Sequence, residues 1–172
     1  LVPDTVGVCG IAYFPQAGGA FGTSVVNWVC AVDNLSFAHE LGHNLGASHD
    51  RYVANGFGYY DYGYGYVNRA ARWRTVMAYN NDCFDHGFDC TRVARFSNPQ
   101  VLYNGAPTGV PIGAPRSADN RTAINATARM VAEYRTDYGH DVPVQVAGVG
   151  GVALDATAAM LNVTVTRATR AG

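Results

Sequence analysis

Three histidines and one glutamate lie within the eleven residues 39–49 (H-E-L-G-H-N-L-G-A-S-H). In an α-helix, residues four apart lie on the same face, so His39 and His43 can bind one ion. Imidazole nitrogens are good ligands for Zn²⁺, and a catalytic zinc site commonly has three protein ligands and one water. The spacing therefore predicts a metal centre with zinc as its ion.

The residues between the histidines fit the same centre. Glu40 follows the first histidine, where its carboxylate can reach a water on the metal rather than the metal itself. A zinc-bound water has a pKa of roughly 7, so we expect Glu40 to take up its proton as a general base. Gly46 can adopt the left-handed conformation that ends a helix, and the chain can then return His49 to the metal as the third ligand.

A polar surface helix with unrelated histidines is the alternative interpretation of this segment. Five positions of the pattern are fixed, and at roughly one residue in twenty for each, a chance match in a chain of this length is on the order of one in ten thousand. Three of the five histidines of the chain also fall in the segment. Both observations favour the metal centre.

The pattern H-E-x-x-H-x-x-G-x-x-H followed by a Met-turn is the signature of the metzincin zinc peptidases, and this chain resembles them in both parts. Met77, in the run T-V-M-A-Y of residues 75–79, is similar to the Met-turn methionine, which forms an apolar floor beneath the zinc ligands. A lone methionine would be interpreted as an ordinary core residue. Tyr79 resembles the tyrosine that binds zinc and stabilises the oxyanion in astacin-like and serralysin-like members; a packed tyrosine is the alternative.

The wider resemblance covers about residues 8–136. It rests on four runs: C-G-I-A-Y (9–13), S-F-A-H-E-L-G-H-N-L-G (36–46), W-R-T-V-M-A-Y (73–79) and R-F-S-N-P (95–99). These runs are similar to secreted, reprolysin-like bacterial enzymes of the peptidyl-Asp metallopeptidase group. The resemblance implies hydrolysis of internal peptide bonds in protein or peptide substrates with one zinc ion, a zinc-activated water and Glu40 as base.

The same resemblance implies roles for residues around the metal. Residues 10–14 would form the strand that binds the substrate backbone, and the segment ending at 96–99 would line the pocket beside the scissile bond. Asp50 would support the ligands from behind without binding the metal. Members of this group are associated with cleavage before acidic residues, and Arg92 or Arg95 could pair with such a side chain.

The elements that must position these residues are indicated by local patterns. Residues 6–14 and 23–30 are apolar and β-branched and predict two strands. Asp33 or Asn34 is expected to cap a helix that runs to about Leu45. The Gly/Tyr tract 55–68 is either a flexible loop or a β-hairpin.

The second half of the chain is predicted to be mostly irregular. Residues 80–117 are rich in Asn, Pro and Gly, and Ser117 is expected to cap the helix that follows. The apolar face of that helix is formed by residues at helical spacing, namely Ile124, Thr127, Ala128, Val131 and Tyr134.

The resemblance implies an α+β fold, the metzincin-type catalytic domain, with a mixed twisted sheet, a zinc helix and an irregular lower subdomain that ends in a C-terminal helix. We expect this domain, without its N-terminal strands, in residues 1–138. Residues 139–172 are expected to be a linker and the truncated start of a β-rich region.

Composition limits the classes of partner. Hydrophobic residues make up 48% of the chain and charged residues 15%, as in a globular domain. The net charge is −1 and the chain has no basic run, so neither nucleic acid nor an anionic membrane is an expected partner. No apolar run approaches the roughly 20 residues that span a bilayer. We expect a monomer.

The four cysteines, Cys9, Cys30, Cys83 and Cys90, favour two disulfides and a secreted protein. Three pairings are open; a short loop closed by Cys83–Cys90, with Cys9–Cys30 as the second bridge, is the favoured one. Three aspartates lie between the last two cysteines, where a Ca²⁺ site and a solvated acidic loop are the alternatives, and their spacing favours the loop. They are Asp82, Asp85 and Asp89.

Two other functions compete with the peptidase. One is a zinc module without catalysis, against which Glu40 argues, because a structural zinc site normally closes its fourth position with a protein ligand. The other is an adhesion or carbohydrate-binding protein whose function lies in the C-terminal region.

Overall fold

The computed structural model describes residues 8–16 and 22–134, and in them short strands alternate with helices. The strands are β1 Gly10–Ala12, β2 Ser24–Val26, β3 Ser48–Asp50, β4 Tyr64–Gly65, β5 Val67–Asn68, β6 Trp73–Arg74, β7 Thr91–Arg92, β8 Leu102–Tyr103 and β9 Ala106–Pro107. The helices are α1 Ser36–Asn44, α2 Arg51–Ala54, α3 Asn81–Phe84 and α4 Asn120–Ala132, with a 3₁₀ turn at Trp28–Cys30. The α+β class is confirmed. Within these ranges no helix has the length and hydropathy needed to cross a membrane.

The first sheet lies against α1. Strands β1 and β2 are antiparallel, with Gly10 opposite Val26, and both contact α1. The two predicted strands are confirmed only in these segments. The prediction was wrong for the last residues of 23–30, because the side chain of Asn27 accepts a hydrogen bond from the backbone N–H of Val29 at 3.0 Å and caps the 3₁₀ turn.

Helix α1 begins without a side-chain cap. Leu35 occupies the N-cap position with φ of 55°, so the prediction that Asp33 or Asn34 caps the helix was wrong. The amide of Asn34 instead lies 3.5 Å from the Ser36 hydroxyl. The C-terminal prediction is confirmed: Gly46 has φ of +83°, a left-handed conformation that costs glycine little, and the chain turns there into β3.

The Gly/Tyr tract forms neither a flexible loop throughout nor a hairpin with itself. Its Tyr64 and Gly65 form β4, which is parallel to β3, and Val67–Asn68 pairs with β6. Both partners lie outside the tract, which explains why alternation within the tract was misleading. Tyr64 is buried, and the guanidinium of Arg51 lies 4.0 Å from the centre of its ring.

The region 80–117 is mostly irregular, as predicted, with α3, β7 and a β8–β9 hairpin as its regular elements. It contains the Cys83–Cys90 disulfide, and Cys9–Cys30 is the second bridge, so the structure has the favoured pairing. Strand β7 is parallel to β6, with Arg74 opposite Arg92.

Helix α4 ties the end of the described chain to α1. Its N-cap is Asp119, whose carboxylate accepts from the backbone N–H and the hydroxyl of Thr122 at 2.9 and 2.7 Å. The prediction of Ser117 was wrong, because its hydroxyl contacts Arg51 at 3.1 Å instead. On the buried face, the Thr127 hydroxyl donates to the carbonyl of Leu45 at 2.6 Å.

The predicted apolar face of α4 is confirmed in part. Thr127 is buried and Ile124 packs on a core of Ala47, Val76 and Met77, whereas Ala128 is exposed. The other buried residues of the helix are Asn120 and Ala123, which the prediction did not include, so the buried face is rotated relative to the predicted one. The predicted linker and β-rich region, residues 139–172, lie outside the described residues.

Replacing the observed cap should destabilise the protein. Asp119→Ala removes the acceptor for the first turn of α4, and we expect the free energy of unfolding to fall by about 1 kcal/mol in urea denaturation. Asp33→Ala is the matched control, because Asp33 is exposed and caps no helix. We expect its effect to stay within about 0.5 kcal/mol. Equal losses in the two variants would contradict the observed cap.

Candidate metal centre

The three predicted histidines converge on one point. The Nε2 atom of His49 lies 3.0 Å from that of His39 and 2.9 Å from that of His43. His39 and His43 share a face of α1, and His49 comes from β3 after the turn at Gly46. Among the described residues, this trio is the only group of three or more His, Cys, Asp or Glu side chains close enough to share an ion.

Backbone carbonyls orient two of the rings. The Nδ1 atom of His39 lies 2.9 Å from the carbonyl oxygen of Val76, and that of His43 lies 2.9 Å from the carbonyl oxygen of Ala47. A carbonyl oxygen only accepts, so each Nδ1 carries the proton and each neutral ring has its lone pair on Nε2. The Nε2 lone pairs of His39 and His43 both point at the Nε2 atom of His49, where a single proton could satisfy only one of them well. Tetrahedral Zn–N bonds would place such nitrogens about 3.3 Å apart. The donor set therefore fits a metal ion.

Burial keeps the ligands in the form that binds metal. It lowers the pKa of His39 to about 4 and that of His49 to about 3, and it lowers the pKa of His43 as well. Desolvation disfavours the protonated imidazolium in each case, and in His49 the neighbouring histidines add to the effect. The rings are therefore neutral at physiological pH, as metal ligation requires.

Glu40 lies buried beside the first ligand, with 5% of its surface exposed. Burial raises the pKa of its carboxyl to about 7, and the positive charge of Arg92 acts in the opposite direction. The side chain lies against β1, where a Cβ on Gly10 would come within 2.6 Å of its Cγ and Oε1 atoms. Gly10 thus leaves the space that Glu40 fills. The role of Gly10 could not be predicted from the sequence, because only the packing of β1 on α1 reveals its contact with Glu40.

Met77 is completely buried, and it follows Val76, whose carbonyl oxygen contacts His39. A Cβ on Gly42 would come within 2.5 Å of the Met77 sulfur and 2.9 Å of Phe96, so α1 packs closely on this residue. The importance of Gly42 was also missed, since a glycine inside a helix gives no sign of its partner.

Tyr79 is adjacent to the histidine cluster. The centre of its ring lies 4.6 Å from that of His49 and 5.7 Å from that of His39, both edge-to-face, and 40% of the residue is exposed. Burial of its hydroxyl and the charge of Glu40 raise its pKa. The phenol therefore stays protonated and can donate a hydrogen bond.

Asp50 links the third ligand to the segment that carries Tyr79. One carboxylate oxygen accepts from the backbone N–H groups of Tyr52 and Val53, at 3.0 and 3.4 Å. The other accepts from the N–H of Tyr79 at 2.8 Å. The carboxylate does not join the metal cluster, and its hydrogen bonds hold two loops of the site together.

The acidic residues near Cys83 do not converge on a common point. The carboxylate of Asp82 lies 3.6 Å from the guanidinium of Arg69. Asp85 accepts from the hydroxyl of Tyr52 at 2.7 Å, and Asp89 accepts from the amide of Asn80 at 2.6 Å. Each carboxylate has its own partner, so the geometry gives no support to a Ca²⁺ site.

Comparison with known proteins decides the family. A reprolysin-type model, described as metallo-peptidase family M12, matches residues 3–97, more than half of the chain. This chain belongs to metallopeptidase family M12. No solved structure matches the M12 chain.

Several relatives of the M12 chain are named peptidyl-Asp metalloendopeptidase. The protein of that name from Stenotrophomonas maltophilia is 37% identical over 138 residues, which are 78% of this chain and 31% of the relative. The Xanthomonas campestris protein is 34% identical over 135 residues, covering 78% and 30%. The Pseudomonas fragi protein is 35% identical over 107 residues, 62% of each chain. The M12 chain thus spans less than a third of the length of the first two.

The contact between Gly42 and Met77 should reverse the usual effect of replacing a helical glycine. Helix propensity alone would make Gly42→Ala stabilising by about 1 kcal/mol. Overpacking against the Met77 sulfur should cost about 1–3 kcal/mol, so we expect a net decrease in the free energy of unfolding. In a Met77→Ala background the same substitution should cost less, because the sulfur is gone and only the close approach to Phe96 remains. Stabilisation in both backgrounds would contradict the packing described above.

The ionisable groups should make the stability of the metal-free protein depend on pH in two opposing ways. The pKa values of His39 and His49 are lowered from 6.5 to about 4 and about 3, so the unfolded chain binds more protons in that interval. Their contribution to the free energy of unfolding is fully present above pH 6.5 and is lost as the pH falls. The pKa of Glu40 is raised from 4.5 to about 7, so its contribution is complete below pH 4.5 and is lost as the pH rises.

Removing Glu40 should therefore expose the histidine contribution. With chelator present, we expect the free energy of unfolding to rise between pH 4.5 and 6.5 more steeply in Glu40→Gln than in the wild type. Urea denaturation at a series of pH values measures both slopes. Equal slopes in the two proteins would show that Glu40 titrates near its ordinary value and would contradict the raised pKa.

Proposed function

We propose that this chain carries the catalytic site of a zinc metalloendopeptidase that hydrolyses internal peptide bonds of proteins. The observation that carries the proposal is the convergence of three Nε2 lone pairs beside the buried carboxyl of Glu40. Membership of metallopeptidase family M12 and the names of its relatives support it.

The proposal includes the metzincin-type arrangement of the site. Helix α1 is the zinc helix, and Met77 is the Met-turn residue beneath it. Residues 1–138 are assigned to the catalytic domain and 139–172 to a separate β-rich region. The close packing of α1 on Met77 through Gly42 supports the assignment of the floor.

His39, His43 and His49 would hold the zinc ion. When bound, Zn²⁺ supplies a Lewis acid that polarises the scissile carbonyl and makes a water acidic enough to deprotonate near neutral pH. The three histidine rings are neutral, and backbone carbonyls orient those of His39 and His43, which is the form that this ligation needs.

Glu40 acts as the base and then as the acid. Its carboxylate takes a proton from the attacking water, and the resulting carboxyl gives that proton to the nitrogen of the leaving amine as the C–N bond breaks. A pKa that burial raises toward 7 suits both steps, because a group that titrates near the working pH accepts and releases a proton with little loss of driving force.

Tyr79 and β1 complete the proposed site. The phenol of Tyr79, protonated and adjacent to His49, can donate to the oxyanion that develops on the carbonyl. Strand β1 pairs only with β2 among the described strands, so its other edge can hydrogen-bond an extended substrate backbone.

The substrate and location follow from the relatives and the cysteines. The relatives are named for cleavage at aspartate, and we propose that this chain cleaves peptide bonds next to acidic residues. Two disulfides support secretion, since such bonds persist in oxidising compartments. The active species is proposed to be a monomer.

A structural zinc module is the weaker alternative. Such a site usually has four protein ligands. Within residues 8–16 and 22–134, no fourth His, Cys, Asp or Glu side chain joins the trio. The trio therefore leaves one tetrahedral position for water or substrate.

Loss of Glu40 should separate metal binding from catalysis. We expect Glu40→Ala to keep one zinc per chain and to lower the cleavage rate of an unfolded protein substrate by about 10²–10⁴-fold, because the proton transfers lose their carboxylate. Zinc content by atomic absorption and cleavage by gel electrophoresis measure the two effects. Glu133→Ala, at an exposed glutamate, is the matched control and should keep both.

Chelation followed by zinc should abolish and restore cleavage in the wild type and the control. Cleavage retained by Glu40→Ala would overturn the mechanism. A folded wild type that binds no zinc would overturn the proposed function itself.

A further inference from the structure

Two arginines share one carbonyl oxygen beside the metal centre. Arg74 and Arg92 lie opposite each other on the parallel strands β6 and β7. The Arg74 Nη1 and the Arg92 Nη2 lie 2.6 and 3.4 Å from the carbonyl oxygen of Ala78, the residue that precedes Tyr79. Two positive charges are thus held close to the proposed catalytic groups.

The hydrogen-bond partners of both guanidiniums are neutral. Arg74 also donates from Nε to the carbonyl of Cys90 at 3.0 Å, and Arg92 donates from Nη1 to the carbonyl of Asn34 at 2.7 Å. No ion pair within 4.0 Å joins either arginine to a carboxylate in the described part of the chain. These carbonyl oxygens accept hydrogen bonds from the N–H groups of the guanidiniums but carry no negative charge that would form an ion pair with them.

An unpaired arginine away from water is unfavourable. Both side chains are partly buried, and burial lowers the pKa of Arg74 to about 10 and lowers that of Arg92 as well. Buried charges in proteins are normally paired, because desolvation is repaid only by an opposite charge. Asp50 and Asp89 act on Arg74, and Glu40 acts on Arg92, only from a distance, so the two guanidiniums can still take a carboxylate in direct contact.

Arg92 has the donor capacity to bind such a carboxylate. A guanidinium has five N–H groups, and the Nε–H of Arg92 has no acceptor, whereas the Nε–H of Arg74 donates to Cys90. The Nη atoms of Arg92 lie against the carbonyl of Ala78, which precedes Tyr79, and that of Asn34, two residues before α1 begins, which places its charge beside the proposed catalytic centre.

Arg95 is a poorer candidate. The Nε–H of Arg95 also lacks an acceptor. The charge of Arg95 does not shift the pKa of the histidines, Glu40 or Tyr79, whereas that of Arg92 does. The sequence left Arg92 and Arg95 as alternatives, and the register of β6 and β7 separates them.

We propose that Arg92 binds the carboxylate of an acidic substrate side chain adjacent to the scissile bond, with Arg74 as a positioning residue that holds the carbonyl of Ala78 and adds a second positive charge. This inference rests on the proposed peptidase function. A guanidinium can bind a carboxylate through two parallel N–H donors, which gives direction as well as attraction. The substrate carboxylate would make that direct contact.

The test compares two peptides that differ only by Asp or Asn at the cleaved position. Asn has the shape of Asp without the charge, so the ratio of kcat/KM for the two peptides isolates recognition of the carboxylate. We expect the wild type to prefer the Asp peptide by at least about tenfold. In Arg92→Gln the Asp peptide should lose most, and the ratio should fall to about one.

The control variant is Arg95→Gln, which removes an equal charge three residues away and should keep the wild-type ratio. A purely structural role of Arg92 would lower cleavage of both peptides alike and leave the ratio unchanged.

The outcomes separate the two proposals. If the zinc-loaded wild type cleaves neither peptide, nor any unfolded protein, the peptidase proposal fails and this inference fails with it. If the wild type prefers Asp but Arg92→Gln keeps the ratio, or Arg95→Gln abolishes it, the assignment of Arg92 is overturned while the peptidase stands. If Arg92→Gln does not fold, Arg92→Lys decides: the point charge should reduce the ratio several-fold, and an unchanged ratio overturns the assignment.

Discussion

The structure depends on the mutual approach of three imidazole rings. Neutral rings whose lone pairs meet at about 3 Å do not attract one another, so other contacts must hold them in place. The carbonyls of Val76 and Ala47 fix two rings, and Asp50 fastens the strand that carries the third to the segment beneath it. The surrounding elements are small, and many of their contacts serve this one purpose. An ion at the point of convergence converts repulsion into attraction, which couples metal binding to the stability of the domain.

Charge and burial oppose each other throughout the site. Burial keeps the histidines neutral and favours the protonated form of Glu40, while Arg92 favours the ionised carboxylate. Both effects act on Tyr79: burial and the charge of Glu40 raise its pKa, and the charge of Arg92 lowers it. The protonation states at the site therefore depend on one another, and a change in one charge shifts the pKa values of the other groups.

The sequence predicted the parts of the site that depend on residues close in the chain. Helical spacing placed His39 and His43 together, and the need for a left-handed residue identified Gly46. It failed where distant segments meet. The roles of Gly10 and Gly42 depend on what lies across from them, on Glu40 and Met77, and no local pattern records this. The cap predictions failed for two reasons: α1 begins at Leu35 without a side-chain cap, and at α4 the hydroxyl of Ser117 contacts Arg51 while Asp119 caps the helix.

The arginines and the metal ligands occupy separate stretches of the chain. The ligands come from a helix and the turn after it, whereas Arg74 and Arg92 come from two later strands and hydrogen-bond backbone carbonyls rather than the ligands. A lineage can therefore alter β6 and β7 without touching the ligands. The charge beside the site and the binding of the metal can thus be altered independently, by substitutions in different segments of the chain.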